Sequence, residues 1–271
     1  AKRYRRNRLC PYKNKVPNCT KDKADNPLGV CTIRDRAGDL AIVCPIRFRQ
    51  DWAITEDAAS FLFPLETRWT SLTEIRLNDS NGKSAGNIDV VLVSYDVEGR
   101  ILNFGSLEVQ AVYISGNIRG PFEQYIRDPE AHQNMTWARP PRPDYLSSSR
   151  KRLVPQLIYK GSILKSWGKK QAVAVHTAFY ETLPTLPEVN PEDADIVWLL
   201  YDLVLDPIIN CFSLQLTRKV YTQFESALLR ITTPEAGSVG NFIAQLQERL
   251  DTILEDESNP PDTRSLDDLS L

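Results

Sequence analysis

The sequence predicts an α/β fold, a mixed β-sheet flanked by helices, preceded by a small four-cysteine module. Three observations predict it. From residue 51 onward, runs of β-branched residues alternate with segments of helical periodicity. Acidic and amide residues interrupt two neighbouring apolar strands, and four of the five cysteines fall within the first fifty residues.

Residues 1–50 are rich in Lys, Arg, Pro and Asn and carry little apolar periodicity. Such a segment buries too little surface to order itself unaided, and a bound metal would supply the missing energy. A larger domain is expected over 51–254. Thr55, Glu56 and Asp57 open a capped helix over 58–65 that Pro64 limits. A short strand at 74–77 leads into the turn formers 78–82, and a hairpin follows with strands at 87–95 and 100–113. The Pro- and Arg-rich stretch 137–152 has little pattern and is expected to move in the absence of a partner. Beyond it come a helix at 153–167, a buried strand at 171–176, a strand at 196–205 and a helix at 240–254. The acidic tail 255–271, with its Asn-Pro-Pro, is expected to be disordered.

The net charge of −2 conceals a basic head and an acidic tail. A basic head meets phosphates or forms a solvated arm, and charge alone does not choose between them. No segment reaches the length of a bilayer-spanning helix, because Asp202 and Asp206 interrupt the most apolar run, 196–209. The first residues lack the apolar stretch of a secretory signal, so a cytoplasmic location is expected, with thiols kept reduced. Cys211 sits in an apolar run and reads as a core thiol. His132 and His176 are the only histidines, which leaves little material for a histidine-metal nuclease or a Ser-His-Asp hydrolase. His176 ends a buried strand and reads as a packed core residue. Glycine-rich phosphate cradles are absent from the sequence.

The chemistry-bearing residues are Asp89 on the first hairpin strand and Glu108, Val109 and Gln110 on the second. Residues two apart in an extended chain share a face, so Glu108 and Gln110 point together while Val109 enters the opposite, apolar side. Carboxylates within apolar strands need compensation for lost hydration, and a hard divalent cation supplies it. Asp89, Glu108 and the Val109 carbonyl would hold Mg2+ with positions left open for a phosphate oxygen and water, the arrangement for phosphodiester hydrolysis. Gln110, a neutral amide, would orient the water or contact the phosphate but cannot act as a strong base. Glu74 is a further candidate ligand. Spacing alone also allows Asp89 and Glu108 to face solvent or to pair with Arg76 or Arg100, and does not settle the matter. Cationic side chains at Arg139, Arg142, Arg150, Lys151, Arg152, Lys165, Lys169 and Lys170, with Trp137 and Tyr145, would line a DNA groove or form solvated loops.

Gly86-Asn87-Ile88-Asp89-Val90-Val91-Leu92-Val93 and Gly105-Ser106-Leu107-Glu108-Val109-Gln110 resemble the metal-binding segments of NotI-type restriction endonucleases, a branch of the PD-(D/E)xK nucleases. In that branch Gln stands where most such enzymes carry Lys. Cys10, Cys19, Cys31 and Cys44, with Pro11-Tyr12, Gly29-Val30 and Pro45-Ile46-Arg47, are similar to the family's cysteine module, and the segments 197–206 and 220–230 also look alike. The resemblance implies a PD-(D/E)xK core and a type II restriction endonuclease, a homodimer that cuts double-stranded DNA at a palindromic, GC-rich site. It also implies iron in the cysteine module. Thiolate chemistry by itself accepts zinc or iron in a closed, structural site of four cysteines. The alternative is a non-catalytic DNA-binding protein that uses the cysteine module and basic residues, with the carboxylates serving structure.

Overall fold

Residues 7, 9–12, 19, 28–35, 38–132, 135, 137, 139–208 and 210–255 are described by the structure, a computed structural model. The chain divides into two compact units, 1–232 and 233–271. In the first, a hairpin of β1 (Thr32–Arg34) and β2 (Leu40–Ile42) leads through a 3-10 segment, Pro45–Trp52, into helix α1 (Ala53–Leu62). The main sheet follows with β3 (Trp69–Asn78), β4 (Ser84–Tyr95) and β5 (Ile101–Gln110), an antiparallel meander. A small hairpin of β6 (Tyr113–Ser115) and β7 (Arg142–Asp144) brackets helix α2 (Arg119–Arg127). A continuous helical run, α3 (145–166), then carries the chain over the sheet. It sets β8 (Gln171–His176) parallel to β5, and β9 (Ile196–Asp206) lies parallel to β8. β10 (Cys211–Thr222) returns antiparallel to β9, and helix α4 (Phe224–Thr232) closes the unit. The order across the six-stranded sheet is β10-β9-β8-β5-β4-β3, a mixed sheet with helices on both faces.

Both faces are covered, which is why all six residues of β8 are buried and why its sequence, Gln-Ala-Val-Ala-Val-His, lacks polar alternation. On one face, Ile54, Ala58 and Leu62 of α1, together with Ile42 and Phe48, pack on Val90, Leu92, Leu107, Ala172, Ala174, Val197 and Leu199. Gly105 lets α1 come this close. A Cβ there would lie 2.6 Å from Leu62 Cδ2 and 3.0 Å from the Lys170 carbonyl. On the other face, Leu153 and Leu157 of α3 and Phe224 and Ala227 of α4 cover Val173, Val175, Trp198, Leu200 and Val220. The head belongs to this second core too, since Leu28, Val30, Ile33, Ala41 and Val43 are buried in it. Val112 N donates to Ile42 O at 2.9 Å, joining head and sheet through the backbone.

The second unit is described from helix α5 (Val239–Glu255), whose apolar residues Phe242, Ile243, Leu246 and Leu250 recur at helical spacing. Of the expected tail, 256–271 lies outside the described residues.

Several expectations are corrected in detail. The first helix begins earlier, at Ala53, and ends before Pro64. The long second hairpin strand breaks after Gln110, where Val112 turns its N–H to the head. The stretch 142–152, without pattern in the sequence, contains β7 and the first turns of α3, with Asp144 Oδ1 accepting from Ser147 N at 2.9 Å as an N-cap. Cys211 is exposed rather than a core thiol, because it opens β10 at the sheet's rim.

Replacing Gly105 with alanine is expected to destabilise the fold by about 1–3 kcal/mol through overpacking between α1 and the Lys170 carbonyl, read as a lower urea midpoint at unchanged m-value. Burial depresses the imidazole of His176 below its ordinary 6.5, while Asp202, 3.3 Å away, pulls the other way. The unfolded chain therefore binds a proton before the folded one, so this contribution is complete above 6.5 and is lost as pH falls below it. Urea unfolding at about pH 7.5 and about pH 5.5 should show a smaller acid loss in a His176→Gln variant than in the parent.

Candidate active site

The ladder between β4 and β5 runs from Tyr95↔Ile101 to Val90↔Leu107 and stops there. Asp89 and Glu108 are the next residues on each strand, at the mouth where the strands part. At this mouth Asp89 Oδ2 accepts from Val109 N at 2.9 Å, so a carboxylate takes up a backbone donor that β4 leaves free. The regular alternation of β4 also breaks here. Val90 and Leu92 face α1, whereas Ile88 joins Val91 and Val93 against Leu164 of α3. β3 departs from regularity at the same level: Glu74, between the pairs Thr73↔Val90 and Ile75↔Ile88, has a left-handed backbone with φ 58°.

Glu108 and Gln110 share the face beneath α3, both buried, while Val109 packs on the opposite core. Lys160 reaches down from α3 and is itself buried. Its Nζ donates to Glu108 Oε2 at 2.6 Å and to Asn87 O at 2.8 Å, bridging β5 and β4 across the mouth. Two features of α3 bring it there. Pro155 lacks the N–H a regular helix needs, and the run contains two π-helical stretches, Ser149–Leu153 and Leu157–Gly161, the second carrying Lys160. Gly161 then allows close approach, for a Cβ there would lie 2.6 Å from Phe224 Cε2 and 3.1 Å from Gln171 Oε1.

The electrostatics follow from this enclosure. Burial lifts the Glu108 carboxyl from its usual 4.5 to about 8; the Lys160 ammonium opposes the rise, and the neighbouring charge of Asp89 adds to it. Asp89 and Glu108 are therefore close enough to interact directly. Glu108 Oε1 is buried and has no hydrogen-bond partner. An unpartnered buried oxygen next to a second carboxylate matches the needs of a hard divalent cation, which prefers oxygen donors. Gln110 donates from Nε2 to Ala111 O at 2.6 Å.

Glu74 stands on β3 at the level of Asp89, between the pairs Thr73↔Val90 and Ile75↔Ile88. The carboxylate of Glu74 has Arg49 as its ion partner, at 3.9 Å. Lys165 pairs with Asp195 at 2.8 Å, Lys169 donates to Asn103 Oδ1 at 2.7 Å, and Lys170 lies over the ring of Phe61 at 4.5 Å. Arg150, Lys151 and Arg152 are exposed on α3, Arg152 over the ring of Tyr113 at 5.2 Å. Arg100 pairs with Asp96 at 2.7 Å and Glu98 at 3.1 Å, not with the strand carboxylates.

Cys10, Cys19 and Cys44 are buried and Cys31 is half-buried. Burial raises the Cys31 thiol to about 12, and Cys44, Cys10 and Cys19 each push it the same way, so all four lie within electrostatic reach. As the side chains lie, no group of three or more His, Cys, Asp or Glu among the described residues is disposed to hold a metal ion. Proximity is thus present without ligating geometry.

Lys160 is the residue that sequence reasoning missed. The signal was present: Leu153, Leu157, Lys160 and Leu164 recur at helical spacing, so a lysine occupies the buried stripe of an amphipathic helix. A charge at such a position needs a partner, and only the fold reveals which.

No curated protein matches the chain. The family described as restriction endonuclease NotI does, over residues 1–214, a span that holds the four head cysteines, Asp89, Glu108, Gln110 and Lys160. No helix among the described residues is long and apolar enough to cross a membrane. A match over most of the chain, on a mixed sheet that brings two acidic strand residues together at one mouth, makes the chain a member of the NotI restriction endonuclease family, enzymes that cleave DNA.

Proposed function

We propose that the chain is a type II restriction endonuclease that hydrolyses phosphodiester bonds of double-stranded DNA with Mg2+ held by Asp89 and Glu108. The observation that carries this reading is the buried, unpartnered Oε1 of Glu108 beside Asp89 at the open end of the β4–β5 pair. Lys160 meets only one of the Glu108 oxygens, and a hard cation beside half-buried Asp89 would replace the hydration that the other has lost. When bound, Mg2+ lowers the pKa of a coordinated water and stabilises charge on the phosphate oxygens. The protein does the rest. Asp89 keeps its second oxygen on Val109 N, which fixes its orientation. Gln110 shares the Glu108 face and orients the attacking water or a phosphate oxygen, and Glu74 is a further ligand only if its carboxylate leaves Arg49.

The same reading takes the head as a structural site in which Cys10, Cys19, Cys31 and Cys44 bind iron or zinc. Three buried thiols and one half-buried thiol within electrostatic reach support it. A metal would draw the four sulfurs into a tetrahedral shell, a step that requires thiolates and so releases protons. A cytoplasmic homodimer acting on a palindromic, GC-rich site completes the proposal, with exposed Arg150, Lys151 and Arg152 available to phosphates.

Bacterial genomic DNA incubated with the protein and magnesium should give discrete fragments with 5′-phosphate ends. Asp89→Asn and Glu108→Gln are each expected to slow cleavage by about 1,000-fold or more. Full cleavage by either variant, or cleavage undiminished by a chelator of divalent ions, would refute the assignment. Elemental analysis should find about one iron or zinc per chain. Because head residues are part of the main core, stripping that metal should lower the melting temperature of the whole first unit rather than of the head alone.

A further inference from the structure

We infer that Lys160 is a positioning residue for this reaction: from α3 it supplies the fixed positive charge that Gln110, a neutral amide on β5, cannot. The inference rests on the nuclease reading above and adds a residue to it.

The geometry argues for a role beyond holding the fold. Lys160 Nζ engages only one oxygen of Glu108, leaving Oε1 buried and free. An ion pair kept for stability alone gains by satisfying both carboxylate oxygens, and an apolar pair of similar volume commonly does as well or better. Here the ammonium instead holds one oxygen and leaves the other without a partner. Its second bond, to Asn87 O, ties the same ammonium to the strand that carries Asp89. One group thereby sets the relation between the two carboxylates, as outer partners of metal ligands do. The aliphatic stem passes Gly86, whose Cβ, were it present, would lie 3.7 Å from Lys160 Cδ. The lysine also sits in a π-helical stretch, a distortion that recurs at functional sites.

A purely structural tether between α3 and β4 would depend on the bond to Asn87 O. A positioning role depends on a cation beside Glu108, wherever its stem is anchored, and a relocation experiment separates the two. Lys160→Met should lower the single-turnover cleavage rate by about 100-fold at saturating magnesium, with DNA retention in calcium within about twofold of the parent. Adding Gln110→Lys to that variant puts an ammonium back on the Glu108 face from β5 and should recover about tenfold or more of the rate. A Lys160→Met rate within about threefold of the parent, or a folded double variant no faster than the single one, overturns the inference.

A second measurement does not depend on cleavage. In protein labelled with 15N-lysine, the hydrogen-bonded ammonium resonance of Lys160, identified by its loss in Lys160→Arg, should be broadened by Mn2+ and stay sharp in Asp89→Asn. Sharp lines in the parent overturn the inference, and this holds even if Lys160→Met fails to fold. The nuclease reading fails separately, if the parent cuts no DNA with magnesium or if Asp89→Asn cuts as the parent does.

Discussion

The site depends on one constraint: β4 and β5 must separate where Asp89 and Glu108 sit, yet remain joined. A paired hairpin would leave no room between the carboxylates, and an open one would strand backbone donors away from water. The protein meets both needs with side chains. Asp89 substitutes for the missing ladder partner of Val109 N, and Lys160 spans from Asn87 O to Glu108. The strands are thus held apart by the same polar groups that make the site. Around them the scaffold is apolar and closely fitted, with Gly105 and Gly161 admitting α1 and α3 or α4 at distances a methyl group would forbid.

Most of the sheet was legible in the sequence because burial on two faces leaves a strong mark. The runs around 90–93, 172–175 and 197–200 are apolar without alternation, and all became strands. Glu108 and Gln110 on one face with Val109 on the other followed directly from the period of an extended chain. β10 was harder to see, since as the sheet's edge it is half-exposed and its sequence, Cys-Phe-Ser-Leu-Gln-Leu-Thr-Arg-Lys-Val-Tyr-Thr, mixes polar and apolar residues across a bulge between Leu216 and Arg218. The start of α3 was hidden by proline and arginine, which obscure periodicity although Asp144 caps it well.

The site itself was half legible. Two carboxylates on adjacent strands can be read from spacing, but their cationic partner comes from a helix 52 residues away in the chain, beyond the reach of any local pattern. Membership in the NotI family carries the DNA-cleaving activity and the head cysteines together in one matched span. What the structure adds is the way the head is wired in: its hydrophobic residues share a core with α3 and β8, within one compact unit.

That wiring has a consequence for the rim of the sheet. Arg47, buried just after Cys44, donates to Phe212 O at 2.8 Å, and Gln50 Oε1 accepts from Leu214 N at 2.9 Å, so two outer hydrogen-bonding groups near the start of β10 are occupied. At the opposite rim, the left-handed kink at Glu74 spoils β3 as a template for another strand. Each border therefore offers only a shortened run of unpaired backbone to a stray strand, one interrupted by the segment that follows Cys44 and the other by its own kink.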